Sequence, residues 1–157
     1  MYNLPQELLD ALKVMPDTLN GLLSKVSEEQ ARSAKGGDEN WSVVEVICHL
    51  RDAEEFTLRR VEAIRDQDNP QIVGYDQAAL AVVRKYNEAD LQSALQGFLS
   101  LRERLITTLS ALLPEAWERG GEHNENGHIT IFAYILHIVV HDSVHCAQIA
   151  RQLAGKK

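Results

Sequence analysis

Six polar side chains, Tyr134, His137, His141, His145, Gln148 and Gln152, recur at spacings of three and four within an otherwise apolar run from Ile131 to Leu153. On a helix, which turns by about 100° per residue, they share one side, while Phe132, Ile135, Val139, Cys146, Ile149 and Ala150 point elsewhere. That side carries neither Lys nor Glu, so it reads as a seam turned toward protein or a cavity rather than toward water. His141 and His145 stand at the i, i+4 spacing that lets two imidazoles grip one metal ion.

A third ligand has to come from another element. The candidate is His49 in Cys48-His49-Leu50-Arg51-Asp52, on the flank of its helix beside Val46, Ala53 and Phe56 and facing at least partly inward. Three protein ligands leave a position open for water or substrate, the arrangement of catalytic rather than structural zinc. His141-Asp142-Ser143-Val144-His145 is not a zincin motif, because no Glu follows the first histidine to act as general base, and Asp142 points about 100° away from His141. The competing reading is that these are core histidines hydrogen-bonded to one another across helices.

Around this trio, His137 is expected to line the site, since a drift of about 40° per four residues makes three successive ligands from one helix difficult. Tyr134 and Gln148 either orient water or an imidazole, or satisfy interhelical hydrogen bonds. Asp52 either holds a ligand tautomer or is a solvated surface acid. His123 and His128 are expected to be exposed in a Gly-rich loop bordering a pocket mouth. Arg102 and Arg104 read as helix-surface charges able to meet an anionic substrate, and Cys48 and Cys146 as packing residues.

The elements that must position these residues are helices. No sustained period-2 alternation is evident and no hairpin is expected, so the fold class is all-α. A first helix begins near Pro5 and carries Leu8, Leu9, Leu12, Leu19, Leu22, Leu23 and Val26 inward, with Pro16 kinking or dividing it. Ser42 and Glu45 form a capping box for a second helix running to about Arg65, with Trp41 and Val46 as its hydrophobic staple. A long connection from Asp66 to Tyr86, with a short helix from Asp76, leads to a third helix capped by Asn87 and ending at Pro114. A polar segment from Glu118 to His128 precedes the last helix, capped by Thr130 and stopped at Gly155. Four long helices with an extended crossover between the second and third describe a four-helix bundle.

At 157 residues, 45% of them hydrophobic, the chain reads as a single domain, 1–157, with one sizeable core. A net charge of −7 with scattered basic residues argues against a nucleic-acid partner. No apolar stretch reaches the roughly 20 residues of a membrane span, and residues 1–10 lack the pattern of a signal peptide. With two cysteines and no disulfide framework, the expected location is cytoplasmic.

Asn40-Trp41-Ser42 leading into Glu45 and His49-Leu50, then Phe98 to Arg102, Gly127 with Thr130, and His141 through Ile149 together resemble the DinB-like superfamily. The resemblance spans about Leu4 to Leu153. It implies a four-helix bundle of up-down-down-up arrangement and a metal triad that falls on His49, His141 and His145. It further implies a divalent ion, zinc or nickel, and frequent homodimers. Activities in the superfamily include thiol-dependent S-transferases and a maleylpyruvate isomerase that use low-molecular-weight thiols. The chain is therefore expected to be a metal-dependent enzyme of S-transferase or hydrolase type with a small-molecule or thiol partner. The alternatives are a non-catalytic metal- or ligand-binding stress protein and a structural dimeric bundle; no residue stands out as general acid or base.

Overall fold

The computed structural model describes residues 3–155. Four long helices grow from the four amphipathic segments. α1 (Leu4–Leu23) starts where the Asn3 side chain accepts the Gln6 N–H, with Pro5 in the first turn. It passes through Pro16 as one helix. A proline has no N–H to give to the carbonyl four residues earlier, here that of Leu12, and this oxygen instead accepts Arg102 Nη1 at 3.1 Å. The proline thus leaves an acceptor for another helix rather than a break.

A short α2 (Glu28–Ser33), capped by Ser27, follows, and then β1 (Lys35–Gly36) pairs antiparallel with β2 (Trp41–Ser42). α3 (Val43–Asp66) opens with the full capping box: Ser42 Oγ accepts the Glu45 N–H, and Glu45 accepts the Ser42 N–H at 2.8 Å. Trp41 and Val46 are both buried beside this entry. Residues 67–90 hold β3 (Gln71–Ile72), α4 (Gln77–Val83) capped by Asp76, and a 3-10 turn at Tyr86–Glu88. The cap of α5 (Leu91–Ser110) is Asp90, whose carboxylate accepts the Ser93 N–H at 2.7 Å; Asn87 lies inside the 3-10 turn and caps nothing. After a second 3-10 turn at Pro114–Glu118 come β4 (Gly120–His123), β5 (Gly127–Thr130) and α6 (Ile131–Leu153), with Thr130 as its cap and Gly155 in a left-handed conformation behind it.

The short strands depart from the purely helical expectation. Asn126-Gly127, with Gly127 at φ 71°, turns β4 into β5, and β4 also pairs in parallel with β3. Gly121 allows the approach of β3: a Cβ there would stand 2.7 Å from the Pro70 carbonyl oxygen. The segment read as a loop is therefore a hairpin strapped to the connection that follows α3.

The core has two parts. One gathers Met15, Leu19 and Leu23 late in α1 with residues 43–50 at the start of α3, Leu91 to Phe98 at the start of α5, and Ile149 late in α6. The other joins Leu8, Leu9 and Leu12 to Leu58, Val61 and Ile64, to Leu105 and Leu109, and to Ile131 and Ile135. Early α3 thus shares one end with early α5 and with the late turns of α1 and α6. Among the described residues, no helix is long and apolar enough to cross a membrane.

Arg102 sits on α5 between these parts and is not a surface charge. It is wholly buried, forks onto Glu54 (2.6 and 2.9 Å), donates to Asp142 at 2.8 Å and to the Leu12 carbonyl, and lies over the Phe98 ring. One guanidinium therefore ties all four long helices together. Arg104 remains exposed, at 4.0 Å from Glu62. Removing one partner of such a network strands the others in the interior. Arg102→Ala is expected to cost about 3–5 kcal/mol in urea unfolding. Replacing Arg102, Glu54 and Asp142 together by apolar residues is expected to cost less than the single change. A loss below about 1 kcal/mol in Arg102→Ala would show that the network carries no such role.

Candidate metal centre

His49 lies in the second turn of α3, where the capping box has fixed the start of the helix, and His141 and His145 are successive turns of α6. The three imidazoles meet: one nitrogen of each lies within 4.8 Å of the other two. His49 Nε2 and His141 Nε2 are 2.9 Å apart and share a hydrogen, and the rings of His141 and His145 are 4.4 Å apart between centroids. Trp41 covers His49 from behind at 5.3 Å. His145 Nδ1 donates to Gln148 Oε1 at 2.8 Å, which leaves its Nε2 lone pair free, while Gln148 Nε2 donates to the Gly36 carbonyl.

Burial sets the charge of this trio. It pulls His49 down to about 4, helped by His145 and opposed by Asp52. It pulls His141 down to about 3, with His145 and His49 adding to the effect. His145 is lowered as well, chiefly by burial. At neutral pH all three rings are uncharged, the state in which imidazole ligates a metal. Two ligands about 2.1 Å from a tetrahedral ion stand about 3.4 Å apart, so an ion requires His49 and His141 to separate by only about half an ångström. The donor set fits a first-row divalent ion.

The remaining residues of the seam divide their work. Tyr134 Oη accepts from Arg60 Nη1 at 2.6 Å, and Gln152 Nε2 donates to the Trp41 carbonyl at 2.7 Å. His137 lines a cleft of about 560 Å³ together with His49, His141, Tyr134 and Arg60. His145 faces the other way, into a depression with Gly36, Gly37 and Glu39, so the trio stands as a partition between two hollows.

Several expectations change. Asp52 neither touches a histidine nor faces water: it is buried, accepts from Tyr86 Oη at 2.6 Å and from Arg51 at 2.8 Å, and pairs with Arg84 at 2.9 Å. Its effect on His49 is purely electrostatic. His123 is buried and lines the cleft with Asn126, because the β4–β5 hairpin forms one wall; His128 is exposed as expected. Asp142 points away from the trio, to Arg102. Cys48 is buried with its thiol pushed up to about 11 by desolvation, and Cys146 Sγ rests 3.3 Å from Met15 Sδ, so both are packing residues. Sequence reasoning missed Arg60 and Asn126, and placed His123 at the pocket mouth but in solvent. The spacing of His49, Ala53, Phe56 and Arg60 puts all four on one side of α3, and Asn126-Gly127 announces the hairpin.

Because the folded state excludes protons that an unfolded histidine would take up near pH 6.5, the ion-free protein is expected to lose stability as the pH falls from about 6.5 toward 4. The contribution is fully present above 6.5. Urea midpoints measured across this range should slope downward, and His141→Gln should flatten the slope; identical slopes in both proteins would refute the assignment.

Comparison with known proteins places this geometry among relatives. The chain is 28% identical over 145 residues to "Putative metal-dependent hydrolase OB0782" of Oceanobacillus iheyensis, covering 91% of this chain and 82% of that protein. It is 24% identical over 157 residues to "Putative metal-dependent hydrolase YfiT" of Bacillus subtilis, covering 98% and 82%. The solved structure of YfiT, described as "a probable metal-dependent hydrolase with an unusual four-helix bundle topology", matches with a TM-score of 0.87 at 22% identity over 98% of this chain and 89% of that one. The model of the DinB superfamily matches residues 11–149, and the chain, a four-helix bundle, belongs to that superfamily.

Proposed function

We propose that His49, His141 and His145 bind one divalent ion, zinc or nickel, and that the protein is a metal-dependent enzyme of hydrolase or thiol-transferase type acting on a small molecule held in the 560 Å³ cleft. The observation that carries this reading is the meeting of three uncharged imidazoles, two of which line the cleft, while among the described residues no carboxylate joins them. The names of the relatives point the same way. A bound ion would supply Lewis-acid activation of an oxygen or sulfur nucleophile.

The chain's own residues supply the rest. Gln148 fixes the tautomer of His145, Trp41 keeps water off the far side of His49, and His137 lies one turn before His141, where it can exchange a proton with a bound molecule. A second reading has one observation in its favour. The hydrogen shared by His49 and His141 occupies one nitrogen of each ring without an ion, as a structural bundle would require.

Metal analysis of the purified protein separates the two. About one equivalent of divalent ion per chain is expected, with loss of at least tenfold in affinity in His141→Ala. Negligible metal in both samples would sink the centre and leave the structural reading. With the ion in place, turnover in a panel of thiols, electrophiles and activated esters is expected, and its absence throughout would favour passive binding.

A further inference from the structure

Among the described residues, the lining of the cleft contains a single formally charged side chain, Arg60, and no Asp or Glu. In a protein of net charge −7 this is a pointed exception. Other arginines of this region have carboxylate partners: Arg84 pairs with Asp52 and Glu55, Arg51 with Asp52, and Arg59 with Glu55. Among the described residues, Arg60 has no carboxylate within ion-pair distance. Neutral groups hold it instead. Nη1 donates to Tyr134 Oη, Nη2 donates to the Val73 carbonyl at 2.8 Å, and the guanidinium carbon lies 5.4 to 5.9 Å from the rings of Tyr134, Tyr75 and Phe56. Phe56 and Tyr75 are themselves stacked at 4.1 Å.

Such a setting orients the fork without using up its charge. A guanidinium has five N–H donors, so three remain after these two bonds, enough for a bidentate contact. From Arg60 a continuous row leads to the histidine trio: Tyr134, then His137 at 6.4 Å, then His141 at a further 6.1 Å between ring centroids. Tyr134 and His141 are two helical turns apart, a rise of roughly 10 Å.

We propose that Arg60 is a carboxylate-recognition residue, so that the cleft takes an elongated small molecule with a carboxylate at one end and its reacting group at the histidine trio, two to three helical turns or roughly 10–16 Å away. The distance rests on the metal-centre reading above; the carboxylate site does not. Selectivity follows from desolvation. A ligand ending in a neutral group leaves the cleft's only charge without a counterion, which costs more than the loss of an ordinary hydrogen bond.

Two measurements test this. In chelator-treated protein, the ¹⁵N resonance of Arg60 Nε is expected to shift with hexanoate and not with hexanamide; no shift with hexanoate overturns the proposal. In zinc-loaded protein, the tightest binder in a series of dicarboxylic acid monohydroxamates of about eight to twelve carbons is expected to bind about tenfold or more tightly than its terminal amide. That preference should vanish in Arg60→Gln, checked for folding by circular dichroism, while acetohydroxamate binds both proteins alike. Equal binding of the acid and the amide to the wild type, or a preference that survives in Arg60→Gln, overturns the proposal. If acetohydroxamate fails to bind zinc-loaded protein but hexanoate still shifts Arg60, the metal centre falls and the carboxylate site stands. The wild-type measurements need no folded variant.

Discussion

The buried guanidinium of Arg102 is the constraint on which the bundle depends. Hydrophobic contacts between helices are non-directional and tolerate sliding, whereas a fork that must meet Glu54, Asp142 and the Leu12 carbonyl admits one register. Asp142 adjoins His141 in the chain, and Glu54 is little more than a turn beyond His49. Fixing the acids therefore fixes the imidazoles. Burial pushes the Asp142 carboxyl up to about 6 despite Arg102, with Glu54 adding to the rise.

The imidazole trio is the converse case. Here the interior holds groups that shed their charge instead of pairing it, and three of their six ring nitrogens hydrogen-bond to one another or to Gln148. Ion pairing and neutralisation are the two ways a protein can bury titratable side chains, and this bundle uses both within a turn of helix. The first holds the helices in place. The second leaves nitrogen lone pairs facing a hollow.

What could be read in the sequence follows the range of the interactions. The capping box at Ser42 and Glu45, the Thr130 cap and the span of α6 are local, and the residues that make them are neighbours in the chain. The two α6 histidines were legible for the same reason, and His49 became so mostly through the resemblance to the DinB-like superfamily, its inward flank adding to it. Arg102 was not, because Leu101-Arg102-Glu103-Arg104 looks like any solvated helix surface, and its partners lie at positions 12, 54 and 142. Asp52 was misjudged for the same reason. The hairpin did carry a local signal in Asn126-Gly127, but its pairing with β3 did not, and that pairing helps make His123 part of a wall.

Pro16 has a consequence for the order of assembly. By withholding its N–H it leaves the Leu12 carbonyl with a vacancy that α1 cannot fill, and the donor that fills it arrives only with α5. The last acceptor of that donor, and two of the three imidazoles, come later still, on α6. During synthesis, the first three long helices would emerge carrying an incomplete ion network and a single histidine of the trio. An ion held by all three imidazoles would therefore have to wait for α6 to dock, and its capture would report that the chain has finished folding.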